Sequence, residues 1–236
     1  MADKREYRGV MEPEGLICYR VAIGESDLYV CTEGEFESRA RESLAKRRRE
    51  LEEYLGRHSG FGLSFKPIPA VGDAPDIVVE MARASAVFDV GPMAAVAGAI
   101  AQSVGRDLLR FSRQVIVENG GDVFMAGGSE RRVRVFAGEG APAVDVKVVD
   151  TPEGLGFCTS SATVGPSVSL GAADAVAVLA PTATLADAAA SAFGNMVHSP
   201  EEIGEVLARA SERDEVLGII VVAGGSTGVW GGLEIA

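Results

Sequence analysis

The feature that most constrains the fold is a series of short strand-like segments in the middle of the chain, separated by glycine turns. These segments are residues 114–118, 122–125, 132–136 and 145–149. The turns between them are Asn119-Gly120-Gly121, Gly127-Gly128 and Gly138-Glu139-Gly140. Short apolar segments joined by glycine turns are typical of antiparallel hairpins. We therefore predict an α+β fold with a largely antiparallel sheet packed against helices.

Further elements flank this region. Strands are predicted at 16–22, 27–31, 156–159, 167–170, 173–179, 217–223 and 229–235. Helices are predicted at 35–57, 75–87, 93–101, 184–197 and 200–212. Residues 59–75 are rich in glycine and proline, and we interpret them as a linker or a flap over a site. No fixed-period repeat is evident. The organisation predicted is one domain over 1–236.

Charge and cysteine content restrict the class of protein. The chain has 34 acidic and 22 basic residues, a net charge of -12, which argues against nucleic-acid binding. No apolar run has the length of a membrane span. Residues 1–10 lack the apolar core of a signal peptide. The three cysteines are odd in number and lack zinc-ligand spacing. We therefore predict a cytoplasmic protein without disulfides or zinc.

Common catalytic motifs are not recognisable in the sequence. His58 and His198 lie near predicted helix ends, and no P-loop motif is present. The glycine-rich stretch 223–228 is followed by too few residues for a dinucleotide-binding unit, so a hairpin turn is favoured. No residue is assigned a catalytic role.

Four stretches nevertheless have residues suited to binding a ligand. Gly91 precedes an alanine- and glycine-rich helix. Small residues there allow either the close approach of a ligand or tight packing against another helix. Gly120 and Gly121 expose backbone N–H groups and Asp122 supplies an oxygen ligand, although Asn-Gly is also an ordinary turn sequence. These alternatives stay open at the level of single motifs.

The other two stretches are rich in oxygen. Thr159, Ser160 and Ser161 can donate hydrogen bonds to phosphate, but a polar turn is equally ordinary. Asp187 and Ser191 are four residues apart and share one helical face, a carboxylate and a hydroxyl suited to Mg²⁺. The favoured alternative is a helix cap in which Thr184 and Asp187 approximate a capping box.

These four stretches occur in the same order in a known family. The matching segments are 89–105, 115–124, 158–165 and 185–197, and they resemble the ApbE superfamily of flavin transferases, most closely a shorter ApbE-like branch. The resemblance implies a T-fold-like ApbE architecture. It also implies Mg²⁺ and FAD or FMN as cofactors, with Asp187 and Ser191 at the metal. Gly91, the turn Gly120–Asp122 and the turn Thr159–Ser161 would contact the nucleotide.

The sequence also departs from the transferase pattern. Ala97 and Gln102 stand where the transferases have Lys and Asp, and the segment 165–169 has no histidine. These departures count against FMN transfer. The function predicted is binding of a phosphate-bearing small molecule such as a flavin nucleotide.

Two alternatives remain from the sequence. The shorter branch is associated with homocysteine formation from aspartate semialdehyde, alongside an iron–sulfur partner protein. The second alternative is a non-catalytic scaffold in which the motifs serve packing. Because many antiparallel strand edges need covering, a homodimer is also predicted. Cys158 adjoins the hydroxyl-rich turn, and a buried structural role is favoured for it.

Overall fold

The central element is an eight-stranded antiparallel sheet. A computed structural model describes residue 8 and residues 13–138, 143–161 and 171–236. The strands are β1 Ile17–Ile23, β2 Ser26–Thr32, β3 Val115–Asn119, β4 Asp122–Ala126, β5 Glu130–Val135, β6 Val144–Val149, β7 Leu155–Ser160, β8 Ala175–Ala180, β9 Gly218–Ala223, β10 Ser226–Gly231 and β11 Glu234–Ile235. The large sheet has the order β1-β2-β3-β4-β7-β8-β9-β10, and a small sheet has the order β11-β6-β5.

Helices cover one face of the large sheet. They are α1 Glu37–Arg57, α2 Ser59–Leu63, α3 Asp76–Phe88, α4 Val96–Leu108, α5 Ala183–Gly194 and α6 Ile203–Ser211, with 3₁₀ turns at Pro92–Ala95 and Pro200–Glu202. Across the described ranges, no single helix is long and apolar enough to cross a membrane. The bent pair Asp76–Phe88 and Pro92–Leu108 meets that test by length and composition only.

Alternation along the strands divides the core into two layers. In β8, Val176 and Val178 pack under the helices, whereas Ala177 and Leu179 pack against the small sheet. The same alternation runs through β3, β4, β7 and β9, because successive side chains of a strand point to opposite faces. The site described below lies on the helical face, where α4 and α5 cross the ends of β3, β4 and β7.

Glycines allow α5 to approach both the sheet and α4 closely. A Cβ atom at Gly156 of β7 would lie 2.2 Å from the Cα of Ala183, and one at Gly98 of α4 would lie 2.2 Å from the Ala183 carbonyl oxygen. Both distances are far below van der Waals contact. The first turn of α5 is therefore wedged between β7 and α4.

The predicted fold class is confirmed, with small shifts at element ends. The helix predicted at 93–101 is a 3₁₀ turn followed by α4, and the strand predicted at 167–170 lies outside the described residues. The stretch 59–75 contains the short helix α2, and its Phe61 is 2% exposed in the core. The Tyr54 hydroxyl accepts a 3.1 Å hydrogen bond from the Val71 N–H, which anchors the later part of this stretch.

The prediction of no disulfide is wrong. Cys18 and Cys31 are bonded to each other, with a Cα–Cα distance of 4.1 Å. They lie directly opposite in the β1–β2 ladder, because the tight turn at Gly24 places residue 18 against residue 31. An odd cysteine count gave no information about this pairing, which depends on the register of the hairpin.

Candidate functional site

The side chain of Asp187 contacts the first turn of α4, and that of Ser191 contacts the 3₁₀ turn before it. One oxygen of Asp187 accepts a 2.8 Å hydrogen bond from the Gly98 N–H. One turn further along α5, the Ser191 hydroxyl lies 3.5 Å from the Ala94 carbonyl oxygen, to which it donates. The predicted common face of Asp187 and Ser191 is therefore directed at a helix start.

This contact depends on the break between the 3₁₀ turn and α4. In a continuous α-helix the Gly98 N–H would pair with the Ala94 carbonyl, four residues earlier. Because α4 begins at Val96, Gly98 lies in its first turn, where N–H groups have no partner within the helix. Asp187 accepts a hydrogen bond from the Gly98 N–H, and Ser191 donates one to the Ala94 carbonyl. The two α5 side chains thus occupy both halves of the interrupted bond.

The alternative role of Asp187 as part of a Thr184 cap is wrong. The N-cap of α5 is Thr182, whose hydroxyl accepts a 3.2 Å hydrogen bond from the Leu185 N–H. Thr184 lies inside the helix and is 2% exposed. Asp187 is therefore directed away from its own helix end.

A second carboxylate, Asp122, is buried beside Asp187. It begins β4 and points to the helical face, where it is 8% exposed. Its Oδ1 atom has no hydrogen-bond partner within the described ranges. Burial raises the pKa of Asp122 well above the usual value, and the charge of Asp187 raises it further. The nearby Cys158 thiol and Thr159 N–H act on this pKa in the opposite direction.

Burial also raises the pKa of Asp187, to about 7. The N–H groups of Gly98 and Ala97 act in the opposite direction, because they stabilise the carboxylate. The N-terminal end of the α4 dipole adds a partial positive charge there. Two interacting buried carboxylates resist simultaneous ionisation unless a cation compensates them.

Cys158 lies between these carboxylates and the first turn of α5. Its Sγ atom donates to the Ala183 carbonyl oxygen at 3.3 Å. Burial, followed by the charges of Asp122 and Asp187, raises the pKa of the thiol well above its usual value. The thiol is therefore protonated at neutral pH, which suits packing and hydrogen bonding rather than nucleophilic attack.

The glycine turn between β3 and β4 is a two-residue hairpin next to the carboxylates. Gly120 and Gly121 have φ angles of 70° and 105°, which favour glycine. A Cβ atom at Gly120 would have nothing within 4 Å, so this side of the turn is open. The Asn119 amide donates to the Ala97 carbonyl oxygen at 3.1 Å and joins the turn to α4.

The three hydroxyls at the end of β7 point in different directions. Ser160 faces α5, with its Oγ 3.3 Å from where a Cβ of Gly194 would be. Thr159 follows Cys158 in the strand, so its side chain points to the opposite face of the sheet. Ser161 donates to the Asp174 carbonyl oxygen at 2.6 Å. The structure thus directs Ser160, and not all three, towards the helical side.

Gly91 has a packing reason to be glycine. A Cβ atom there would lie 1.8 Å from the carbonyl oxygen of Ser64, in the stretch after α2. Its predicted contact with a ligand stays a prediction.

Asp122 and Asp187 are the predicted residues that the fold brings together in a buried place, and Ser191 is half-buried one turn further along α5. Sequence reasoning missed the Ala94 carbonyl, which accepts from Ser191, and Glu118 in β3, whose charge also raises the pKa of Asp122. A main-chain carbonyl carries no sequence signal, and Glu118 reads as an ordinary strand residue. Among the described residues, no group of three His, Cys, Asp or Glu side chains could hold a metal ion. A cation here would need hydroxyl and carbonyl oxygens as well.

Comparison with known protein families shows to which family the chain belongs. A family model described as AbpE bacteria matches residues 9–227, nearly the whole chain. The chain belongs to this family. The ApbE-like assignment made from the four motifs is thereby confirmed.

Individual relatives of this ApbE-like chain span almost its full length. It is 38% identical over 221 residues to a UPF0280 protein of Methanocaldococcus jannaschii, covering 90% of this chain and 89% of the relative. It is 37% identical over 196 residues to a UPF0280 protein of Methanothrix thermoacetophila, covering 81% and 82%.

Solved ApbE structures share the fold. The flavin transferase ApbE from Vibrio cholerae superposes with a TM-score of 0.63 at 11% identity, over 92% of this chain and 97% of that one. The ApbE protein from Thermotoga maritima gives a TM-score of 0.62 at 11% identity, over 90% and 96%. At such identities the likeness establishes the α+β ApbE-type fold and leaves the chemistry to the site itself.

Proposed function

We propose that this ApbE-like protein binds a phosphate-bearing small molecule, with a flavin nucleotide as the first choice, through Mg²⁺ held at Asp187 and Ser191. The observation that supports this most is the buried pair Asp122 and Asp187. Asp122 has an oxygen without a hydrogen-bond partner among the described residues, and one turn beyond Asp187 on α5 the Ser191 hydroxyl contacts the Ala94 carbonyl.

These groups fit a hard divalent cation. Mg²⁺ prefers oxygen ligands and is usually bound by one or two carboxylates together with the phosphates of a substrate. Asp187, Ser191 and the Ala94 carbonyl would hold it, and Asp122 would balance its charge. When bound, the cation would neutralise the negative charge of a phosphate. Asp187 and Ser191 also keep the start of α4 in place.

A cation also explains how an anionic ligand could approach. A protein of net charge -12 with two buried carboxylates repels a phosphate, unless positive charge intervenes. The flavin choice rests on the fold shared with the flavin transferase ApbE from Vibrio cholerae.

Binding rather than FMN transfer is proposed because of the residues in α4. Gln102 stands where the transferases carry an acidic residue. Its amide donates to Glu80 at 2.7 Å, and its oxygen accepts from the Thr184 N–H at 3.4 Å. Gln102 is therefore engaged in joining helices.

Isothermal titration of the protein with FMN and FAD, with and without Mg²⁺, tests the proposal. We expect binding of at least one nucleotide that weakens at least about tenfold when EDTA replaces Mg²⁺, because carboxylates and phosphate then repel each other. Failure of both nucleotides to give heat or a thermal shift in the presence of Mg²⁺ would refute it.

Two variants locate the site. Asp187→Asn keeps an acceptor for the Gly98 N–H but removes the charge, and Ser191→Ala removes the hydroxyl. Both should reduce Mg²⁺-dependent affinity, by about tenfold or more. The matched controls are Asp214→Asn and Ser211→Ala at exposed positions of the chain, and Ser211 likewise bonds a main-chain carbonyl. Equal losses in variants and controls would place the site elsewhere.

The remaining expectations from the sequence and the resemblance stay predictions. They are the homodimer, the iron–sulfur partner protein, the cytoplasmic location and the part in homocysteine formation. Light scattering after size exclusion measures the oligomeric state directly.

A further inference from the structure

Glu118 links the face of the large sheet that is opposite to the helices with the glycine turn at the site. It lies in β3 with its side chain on the face opposite to α4 and α5, and it is 1% exposed. Its Oε1 atom accepts a 2.8 Å hydrogen bond from the Gly121 N–H. Gly121 directly precedes Asp122, so this bond holds the main chain that carries the carboxylate.

Arg8 holds the other oxygen of Glu118. The Arg8 Nε donates to Glu118 Oε2 at 2.7 Å, and the two guanidinium Nη atoms donate to Asp27 in β2. The guanidinium also lies 5.8 Å from the centre of the Tyr29 ring. Arg8 is 9% exposed, so this ion pair is largely withdrawn from water. Buried charge-assisted hydrogen bonds of this kind are directional and strong.

The contacts continue through the turn to the carboxylates. From the helical side, Asn119 holds the same turn by its bond to the Ala97 carbonyl. Ala97 and Gly98 are the two residues whose N–H groups stabilise Asp187. The turn is therefore fixed from both faces of the sheet, by Glu118 on one and Asn119 on the other.

We propose that Glu118 and Arg8 are positioning residues for the ligand site, acting across the sheet through the Gly121 N–H. This inference rests on the proposed function, because the property they would set is affinity for the Mg²⁺-dependent phosphate ligand. Loss of the Glu118 bond would free the turn to move, and Asp122 with it. Ligand binding would then have to order the turn again, at a cost in affinity.

The experiment compares four variants by FMN titration in saturating Mg²⁺, well below each melting temperature. Glu118→Ala and Arg8→Ala should weaken FMN binding by about tenfold, equivalent to about 1.4 kcal/mol. Glu118→Gln should weaken FMN binding about as much as Arg8→Ala, because its amide oxygen still accepts from the Gly121 N–H while its NH₂ group cannot accept from Arg8. The control is Arg20→Ala, which breaks two exposed hydrogen bonds to the same Asp27.

Amide hydrogen exchange at Gly121, measured by NMR, gives a second readout that needs no ligand. Exchange should quicken most in Glu118→Ala, which removes the acceptor, and less in Arg8→Ala and Glu118→Gln, which keep an acceptor but lose the Arg8–Glu118 bond. If Glu118→Ala does not fold, Arg8→Ala and Glu118→Gln decide the matter by the same two measurements.

The outcomes separate the two proposals. Wild-type protein that does not bind FMN or FAD refutes the proposed function, and the exchange rate at Gly121 then decides alone whether Glu118 positions the turn. Wild-type protein that binds, with folded Glu118→Ala and Arg8→Ala binding equally well, overturns the positioning role. Lower melting temperatures at unchanged affinity would overturn it too, since Glu118 would then serve stability only.

Discussion

Replacing Asp187 by Asn should make the metal-free protein more stable above neutral pH. In the wild type, burial raises the pKa of Asp187 to about 7 from a usual value near 3.8. Between these values the folded protein keeps a proton that the unfolded chain releases. The free energy of unfolding therefore falls as pH rises through this window. The amide introduced by Asp187→Asn does not ionise and would remove this contribution.

The size of the effect follows from the pKa difference. A pKa difference of about three, at about 1.36 kcal/mol for each pKa unit, lowers the free energy of unfolding by about 4 kcal/mol once Asp187 is fully ionised. The penalty is absent below about pH 4 and complete above about pH 7. Relaxation around the carboxylate would reduce it. Asp122 keeps a slope of the same sign, since burial raises its pKa too.

Urea unfolding in EDTA at a series of pH values from about 5 to 8 measures this difference. Across this pH range the stability of Asp187→Asn relative to wild type should increase by about 2.6 kcal/mol, because part of the penalty is already present at about pH 5. The exposed control Asp214→Asn should show no such trend. Mg²⁺ should stabilise the wild type at the upper end and leave Asp187→Asn unchanged. Parallel pH profiles for wild type and Asp187→Asn would refute a raised pKa at Asp187.

Three further predictions follow from the packing around the site. Gly98→Ala places a Cβ 2.2 Å from the Ala183 carbonyl oxygen, so thermal melting should show that the protein loses about 3 kcal/mol or more of stability. A melting temperature equal to that of the wild type would contradict this packing. Reducing the Cys18–Cys31 disulfide should lower the free energy of unfolding by about 3 kcal/mol according to the loop-closure model. Alkylation followed by mass spectrometry checks that the bond is present, and unchanged stability after reduction would argue against a structural role. Cys158 should react with a thiol reagent only as fast as the protein unfolds, whereas rapid labelling of native protein would show an accessible thiol.

Local sequence patterns were sufficient for most of the fold. The Asn119-Gly120-Gly121 turn between two apolar segments predicted the β3–β4 hairpin, which the structure contains. Such a turn is decided within a few residues by the φ angles that glycine permits. The pairing of β4 with β7 was not predictable in this way, because the small sheet intervenes in the chain.

The site could be predicted only in part. The spacing of Asp187 and Ser191 placed both on one helical face, and the structure agrees. The Thr184 cap, which the local sequence favoured, is wrong because Asp187 instead contacts Gly98, 89 residues away in the chain. Likewise the directions of Thr159 and Ser160 depend on which face of β7 the helices cover.

The sequence by itself determined most of the secondary structure, the antiparallel α+β class and the resemblance to ApbE proteins, since hairpin turns and motif order are local properties of the chain. Tertiary structure alone decided which groups meet. It brought Asp122 next to Asp187. It also gave the Gly98 N–H and the Ala94 carbonyl hydrogen-bond partners from side chains of α5, and it fixed the glycine turn through Glu118. The physical reason is that burial and long-range hydrogen bonds set the protonation and position of these carboxylates. Both arise only when distant segments pack together.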